Sequence, residues 1–117
     1  VEVDIMEKTN LEMIKGDTLS FAVEIEFDDK PQELEKALFT CKKNLDDGDV
    51  VFQKTLEDGI SFRKQERNKM YYVVRIAPED TKDIETGHYF YDMQIEINGD
   101  VFTILTGALK VRYGITD

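Results

Sequence analysis

The chain is poor in the residues that most often announce chemistry. It has one cysteine, Cys41, so no internal disulfide can staple the fold and the core must hold by itself. It has one histidine, His88, and with no Cys or His partner a structural zinc site is excluded. Its only serines, Ser20 and Ser61, lie outside any Gly-x-Ser-x-Gly elbow, so nucleophilic hydrolysis finds no support. Gly-x-Gly-x-x-Gly and Walker-type phosphate loops are missing, and so is any Asn-x-Ser/Thr glycosylation acceptor. No apolar run approaches the roughly 20 residues of a membrane helix. Basic residues are also scarce: 15 Lys and Arg stand against 25 Asp and Glu, a formal charge of −10. Such a field repels phosphate backbones, so neither nucleic acid nor membrane is expected as a partner. The first residue is Val1, which suggests a trimmed chain, and no basic stretch followed by an apolar one marks a signal peptide.

What remains is 117 residues, 41% hydrophobic and 34% charged, enough for a single globular domain over residues 1–117 with one core. Turn signals punctuate it: Gly16-Asp17, Asp28 to Pro31, Asp46 to Asp49, Asp58-Gly59, Asn68-Lys69, Gly87, Asn98-Gly99 and Gly107. They fall roughly 10 residues apart, the rhythm of an all-β sandwich or barrel. Side chains alternate between them. Phe21, Val23, Ile25 and Phe27 share one face, as do Tyr72, Val74 and Ile76, and Tyr89, Tyr91, Met93, Ile95 and Ile97. Asn98-Gly99 tolerates the positive φ angles of a type I′ turn and predicts a hairpin. Further strands are expected at Glu2–Met6, Leu11–Ile14, Ala37–Lys43, Val50–Leu56, Ile60–Lys64 and Ala108–Tyr113, and short helical turns at Gln32–Lys36 and Pro78–Asp83.

The run Glu85-x-Gly87-x-Tyr89-x-Tyr91 narrows the fold. Immunoglobulin-type domains carry a tyrosine at this corner, two residues before the second sandwich cysteine, so Tyr91 stands where that cysteine would be. The expected fold is therefore an all-β, immunoglobulin-like antiparallel β-sandwich of about seven or eight strands.

The remaining polar clusters read as structure. His88 is expected at the surface, and Cys41, despite Lys42 and Lys43 beside it, as a small buried residue. A calcium loop counted from Asp46 places Gly48, Val50 and Val51 where ligands and the turn glycine belong, although Glu57 falls at the twelfth place, so Asp46, Asp47 and Asp49 make a solvated turn. The mixed stretch Arg63 to Lys69 is expected as a solubilising loop, and acidic pairs such as Glu24 and Glu26 as solvated faces. No catalytic, cofactor-binding or metal-binding residue is assigned and no enzyme activity is expected. Phe90, Tyr71 and Phe102, opposite the clearest core stripes, are expected to cover a second layer within the sandwich rather than form an interface.

Several phrases together resemble a known group: Lys15-Gly16-Asp17-Thr18, Phe39-Thr40-Cys41-Lys42-Lys43, Tyr72 to Thr81, Gly87 to Ile95, and Gly99 to Ile104. They are similar to the N-terminal domain of phage baseplate upper proteins, small β-sandwiches of phage and prophage structural modules, over residues 11–113. The long downstream receptor-attachment segment of those proteins has no counterpart here. The resemblance implies a non-enzymatic structural protein of a tail, baseplate or head–tail region, made in the bacterial cytoplasm and carried in the virion. It implies contacts with other virion proteins and weak self-association. The alternative reading is a bacterial immunoglobulin-like adhesion or carbohydrate-binding module.

Overall fold

The computed structural model describes residues 7–8, 10–46 and 48–115. The strands are β1 (Glu7–Lys8), β2 (Leu11–Ile14), β3 (Leu19–Glu26), β4 (Lys36–Lys42), β5 (Val50–Leu56), β6 (Gly59–Glu66), β7 (Lys69–Ile76), β8 (Gly87–Ile97) and β9 (Asp100–Arg112). A single helical turn, α1 (Pro78–Thr81), joins β7 to β8. The strands form one hydrogen-bonded path, β1-β9-β8-β4-β5-β6-β7-β3, with β2 also on β9. The path doubles back at Leu56–Gly59, where β5 and β6 share only the pairs Thr55–Gly59 and Leu56–Ile60. As a result Phe21 of β3 reaches Phe39 of β4 across the interior, ring centroids 5.8 Å apart.

The chain is all-β, as its alternation demands. The expectation of a wholly antiparallel sheet needs correction, because β1 and β2 run parallel to β9 and the β5–β6 contact is also parallel. Nine strands are described rather than seven or eight because one edge is interrupted. Between β1 and β2, the Asn10 side chain takes over the pairing and accepts the Ala108 N–H at 3.2 Å. Residues Ala108 to Tyr113 do not form a separate strand, since Gly107 lies inside β9 opposite Tyr91. Gln32–Lys36 is no helical turn: Leu34 is buried and Lys36 already belongs to β4. The Glu2–Met6 strand falls outside the described residues. Asn98 and Gly99 take φ of 52° and 83° between the paired Ile97 and Asp100, the hairpin the sequence predicts.

Inward residues follow the predicted stripes. Ile25, Val74, Ile76, Met93, Ile95 and Ile97 are buried with Leu109 and Val111. At the centre, Phe39 stacks on Tyr91 (4.9 Å, 23°) and lies 6.3 Å from Phe52. The Tyr91 ring thus lies at the centre of the core. Cys41, its register partner, is fully buried, and burial pushes its thiol up to about 12, where it stays protonated and inert. The Tyr89 hydroxyl donates to the Glu85 carbonyl at 2.5 Å, closing the corner ahead of β8. The Lys43 ammonium sits 4.5 Å from the same ring.

The sharp fold at Leu56–Gly59 has its own fastening. Lys54 lies at an inward position of β5, two residues from Phe52 and Leu56, and its ammonium meets the Asp80 carboxylate of α1 at 2.6 Å. Both side chains are nearly buried, 10% and 12% exposed. The same Asp80 oxygen accepts the Ala77 N–H at 2.7 Å, fixing the start of α1. Gly59, at φ 104°, leaves room for the Lys54 stem, since a Cβ there would stand 2.5 Å from the stem's Cδ. Thr81, also buried, accepts the Gly16 N–H and ties α1 to the β2–β3 turn.

Two stability measurements test this account. Lys54→Met, which strands the Asp80 carboxylate, is expected to cost about 3 kcal/mol in urea unfolding, and Lys54→Met with Asp80→Asn to recover most of it. Equal losses in both variants would show that packing of the lysine stem, not the charge pair, matters. Tyr89→Phe is expected to cost about 1 kcal/mol through the lost hydroxyl bond, with the fold kept; an unchanged midpoint would reduce Tyr89 to an ordinary core ring.

Candidate interaction surface

On the outer side of β5, β4, β8 and β9, alternation delivers the residues that the core does not take. Register sets them in rows: Gln53–Thr40–Asp92–Thr106, Lys42–Phe90–Ala108, and Thr55–Leu38–Gln94–Thr103. A bulge in β9 between Met93 and Gln94 of its partner inserts Ile104, and keeps the rows aligned on both sides of it. The Gln53 amide donates to Thr40 Oγ1 at 2.9 Å, and Lys36 pairs with Glu96 at 3.7 Å. Phe90 is 37% exposed and Leu45, in the adjoining turn, 75%. Between them lies a shallow depression of about 120 Å³, bordered by Thr40, Lys42, Asp92 and Thr106. Small-molecule sites usually offer roughly 300–1,000 Å³, so this hollow suits a single side chain of a macromolecule seated on the sheet.

The charges here differ from those of the chain as a whole. Lys36, Lys42, Lys110 and Arg112 stand among Glu12, Asp92 and Glu96, with Glu12 bridging Lys110 and Arg112. The face is close to neutral on a molecule of −10. Asp92 is its least comfortable member: burial among its row neighbours raises the carboxyl above its usual range, only partly offset by Lys42.

Of the sequence expectations, His88 is exposed on the surface, and Ser20 and Ser61 lie exposed on β3 and β6. Asp46 and Asp49 are exposed in the β4–β5 turn, and Asp47 lies outside the described residues. Among the described residues no three His, Cys, Asp or Glu side chains converge as metal ligands do. The second-layer expectation is corrected. Phe102 faces inward opposite Ile95 and packs on the core, because the register of the Asn98-Gly99 hairpin sets its side. Phe90 and Tyr71 face outward, and among the described residues no further layer covers them. Phe90 is exposed, and the Tyr71 hydroxyl donates to Glu24 at 3.1 Å with Lys64 4.9 Å above its ring. The Lys54–Asp80 pair went unrecognised, though a lysine at an inward strand position is itself the signal.

No family model matches the chain, and no curated protein does. Among solved structures, it is similar to a family 123 glycoside hydrolase from Clostridium perfringens, described for glycolipid glycan hydrolysis, with a TM-score of 0.56 at 11% identity. The likeness covers 94% of this chain but 24% of the hydrolase, so the shared fold is one part of a much longer protein.

Asp92 offers a direct check. Its raised carboxyl means that ionisation costs more in the folded chain than in the unfolded one. The penalty is absent below the carboxylate range and grows as pH rises through it. Asp92→Asn is therefore expected to raise Tm at pH 7 and to lose that gain near pH 3. Asp28→Asn, on an exposed turn, controls for the general removal of negative charge; equal gains from both would remove the special standing of Asp92.

Proposed function

We propose that the chain is an immunoglobulin-like sandwich module that works without catalysis, as a structural protein of a phage or prophage tail, baseplate or head–tail region. The sandwich reading is supported by the β2–β9 edge pairing, the β9-β8-β4-β5 order, the fold-back onto β6-β7-β3, and the Tyr89 hydroxyl bonded to Glu85. The assembly reading is carried by the flat, near-neutral outer face around Phe90, which suits contact with another protein better than capture of a small molecule. Among the described residues, β3 pairs only with β7 and adds an edge that a neighbouring chain can extend. The partners are other virion proteins and, weakly, further copies of the chain.

A second reading, a carbohydrate-binding or adhesion module, is favoured by the likeness to part of a glycoside hydrolase, with Phe90 as the ring on which a sugar would stack. A secretion signal or wall anchor in the gene would favour it; adjacent tail and capsid genes would favour the assembly reading.

Sedimentation equilibrium tests the proposal. Copies carrying −10 each repel over about 10 Å at 0.1 M salt. Association through a neutral face is therefore expected to be weak, to strengthen as salt rises, and to vanish in Phe90→Glu. A strict monomer at high concentration under all conditions would count against self-assembly and move weight to the binding module.

A further inference from the structure

The place where the sheet doubles back leaves an opening. Because β5 and β6 share only two residue pairs, the layers part beside Leu56 and Ile60, and a groove of about 410 Å³ remains between this corner and the β3–β4 loop. Its floor is apolar: Leu34, Ile60 and Tyr72 are core residues. One wall is Phe62, which has the inward parity of Ile60 yet is 53% exposed, its ring set edge-on to Tyr72 at 5.6 Å. The rim carries Glu33 and Glu57. Among the described residues no lysine or arginine lies within ion-pair distance of either carboxylate. Glu33 is near enough to help raise the Tyr72 hydroxyl, behind the larger effect of burial. The corner bearing Glu57 is held by backbone bonds from Thr55 to Asp58, from Asp58 to Thr55, and from Glu57 to Ile60.

We propose that this groove binds a basic side chain, arginine or lysine, from a segment of a partner protein. An apolar trough with carboxylates at its rim matches a side chain with an alkyl stem and a cationic head. The stem lies along Leu56 and Phe62, and the head meets Glu33 and Glu57. Elsewhere the chain already seats cations on its rings, Lys43 over Tyr89 and Lys64 over Tyr71, while among the described residues none covers Phe62. The net charge of −10 draws basic partners and disfavours acidic ones. The groove volume falls within the range of specific sites, roughly 300–1,000 Å³. The inference rests on the groove alone and stands apart from the outer face around Phe90.

The test is a backbone-amide NMR titration with acetyl-Leu-Arg-amide and with its neutral isostere acetyl-Leu-citrulline-amide. The arginine peptide is expected to give saturable shifts centred on Leu34, Leu56, Phe62 and Tyr72. The citrulline peptide should bind about tenfold more weakly or worse, as fits the loss of a charged contact. Glu33→Gln with Glu57→Gln should abolish the preference while leaving the rest of the spectrum in place, and Phe62→Ala should weaken both peptides. Shifts scattered over the acidic surface without saturation, equal binding of the two peptides, or an unaffected double variant would each overturn the proposal. So would tighter binding of a neutral oligosaccharide such as cellotetraose in the same groove. Groove shifts that grow with protein concentration alone would assign it to a second copy and overturn the role of a different partner.

Discussion

The contact between Lys54 and Asp80 is the constraint around which the fold turns. The nine described strands bend back on themselves at one weak hinge, the two-pair contact between β5 and β6. The lysine leaves β5 just before the hinge, passes over Gly59, and meets a carboxylate on the helical turn that follows β7. One ion pair therefore links the strands on either side of the fold-back and also seats α1 through the Ala77 N–H. Burial makes the pair costly to half-remove, because either charge left alone would be stranded in an apolar setting. Thr81, one residue on, extends the fastening to Gly16 and so to the start of β3.

With this end held, the interior is closed by rings in place of sulfur. Phe39, Tyr91, Phe52 and Phe21 form a connected aromatic cluster across the interior. Cys41 lies within this core as a small apolar residue. A chain of this size needs no cross-link when its core is contiguous. The Tyr89 hydroxyl, bonded to the Glu85 carbonyl, serves the opposite purpose to the buried rings: it satisfies a polar group and fixes how the chain enters β8.

Among the described residues, the same architecture produces two surfaces of different kinds. Alternation in β4, β8 and β9 places a flat row of threonines, amides and Phe90 on the outer side, where opposite charges nearly cancel. The hinge, paired too briefly to seal the layers, leaves the groove beside Phe62. The first follows from strand periodicity and the second from its interruption, so they differ in character: one planar and neutral, the other concave and acidic.

The inward stripes of β3, β7 and β8, the Asn98-Gly99 hairpin, the short helix after Ala77, the Tyr89 hydroxyl bonded to nearby backbone and the buried thiol were legible in the sequence. Each depends on neighbours a few residues away: period-two alternation, turn residues that accept positive φ, and a proline at a helix start. Arg63 to Lys69, expected as a loop, instead carries β6 on to Glu66 and starts β7 at Lys69; its strands were missed because its side chains are polar on both faces and show no alternation. Long-range placement was not legible. That β2 runs parallel to β9, that Phe102 turns inward while Phe90 stays uncovered, and that Lys54 finds Asp80 all depend on registers set between strands far apart in the chain. Local pattern states which face a residue shares with its neighbours, whereas only the tertiary pairing decides what that face meets. The sequence by itself thus determined an all-β chain with its core stripes and turns. The fold-back at Gly59 decided the rest, because a hinge of two residue pairs joins layers whose contacts no local pattern encodes.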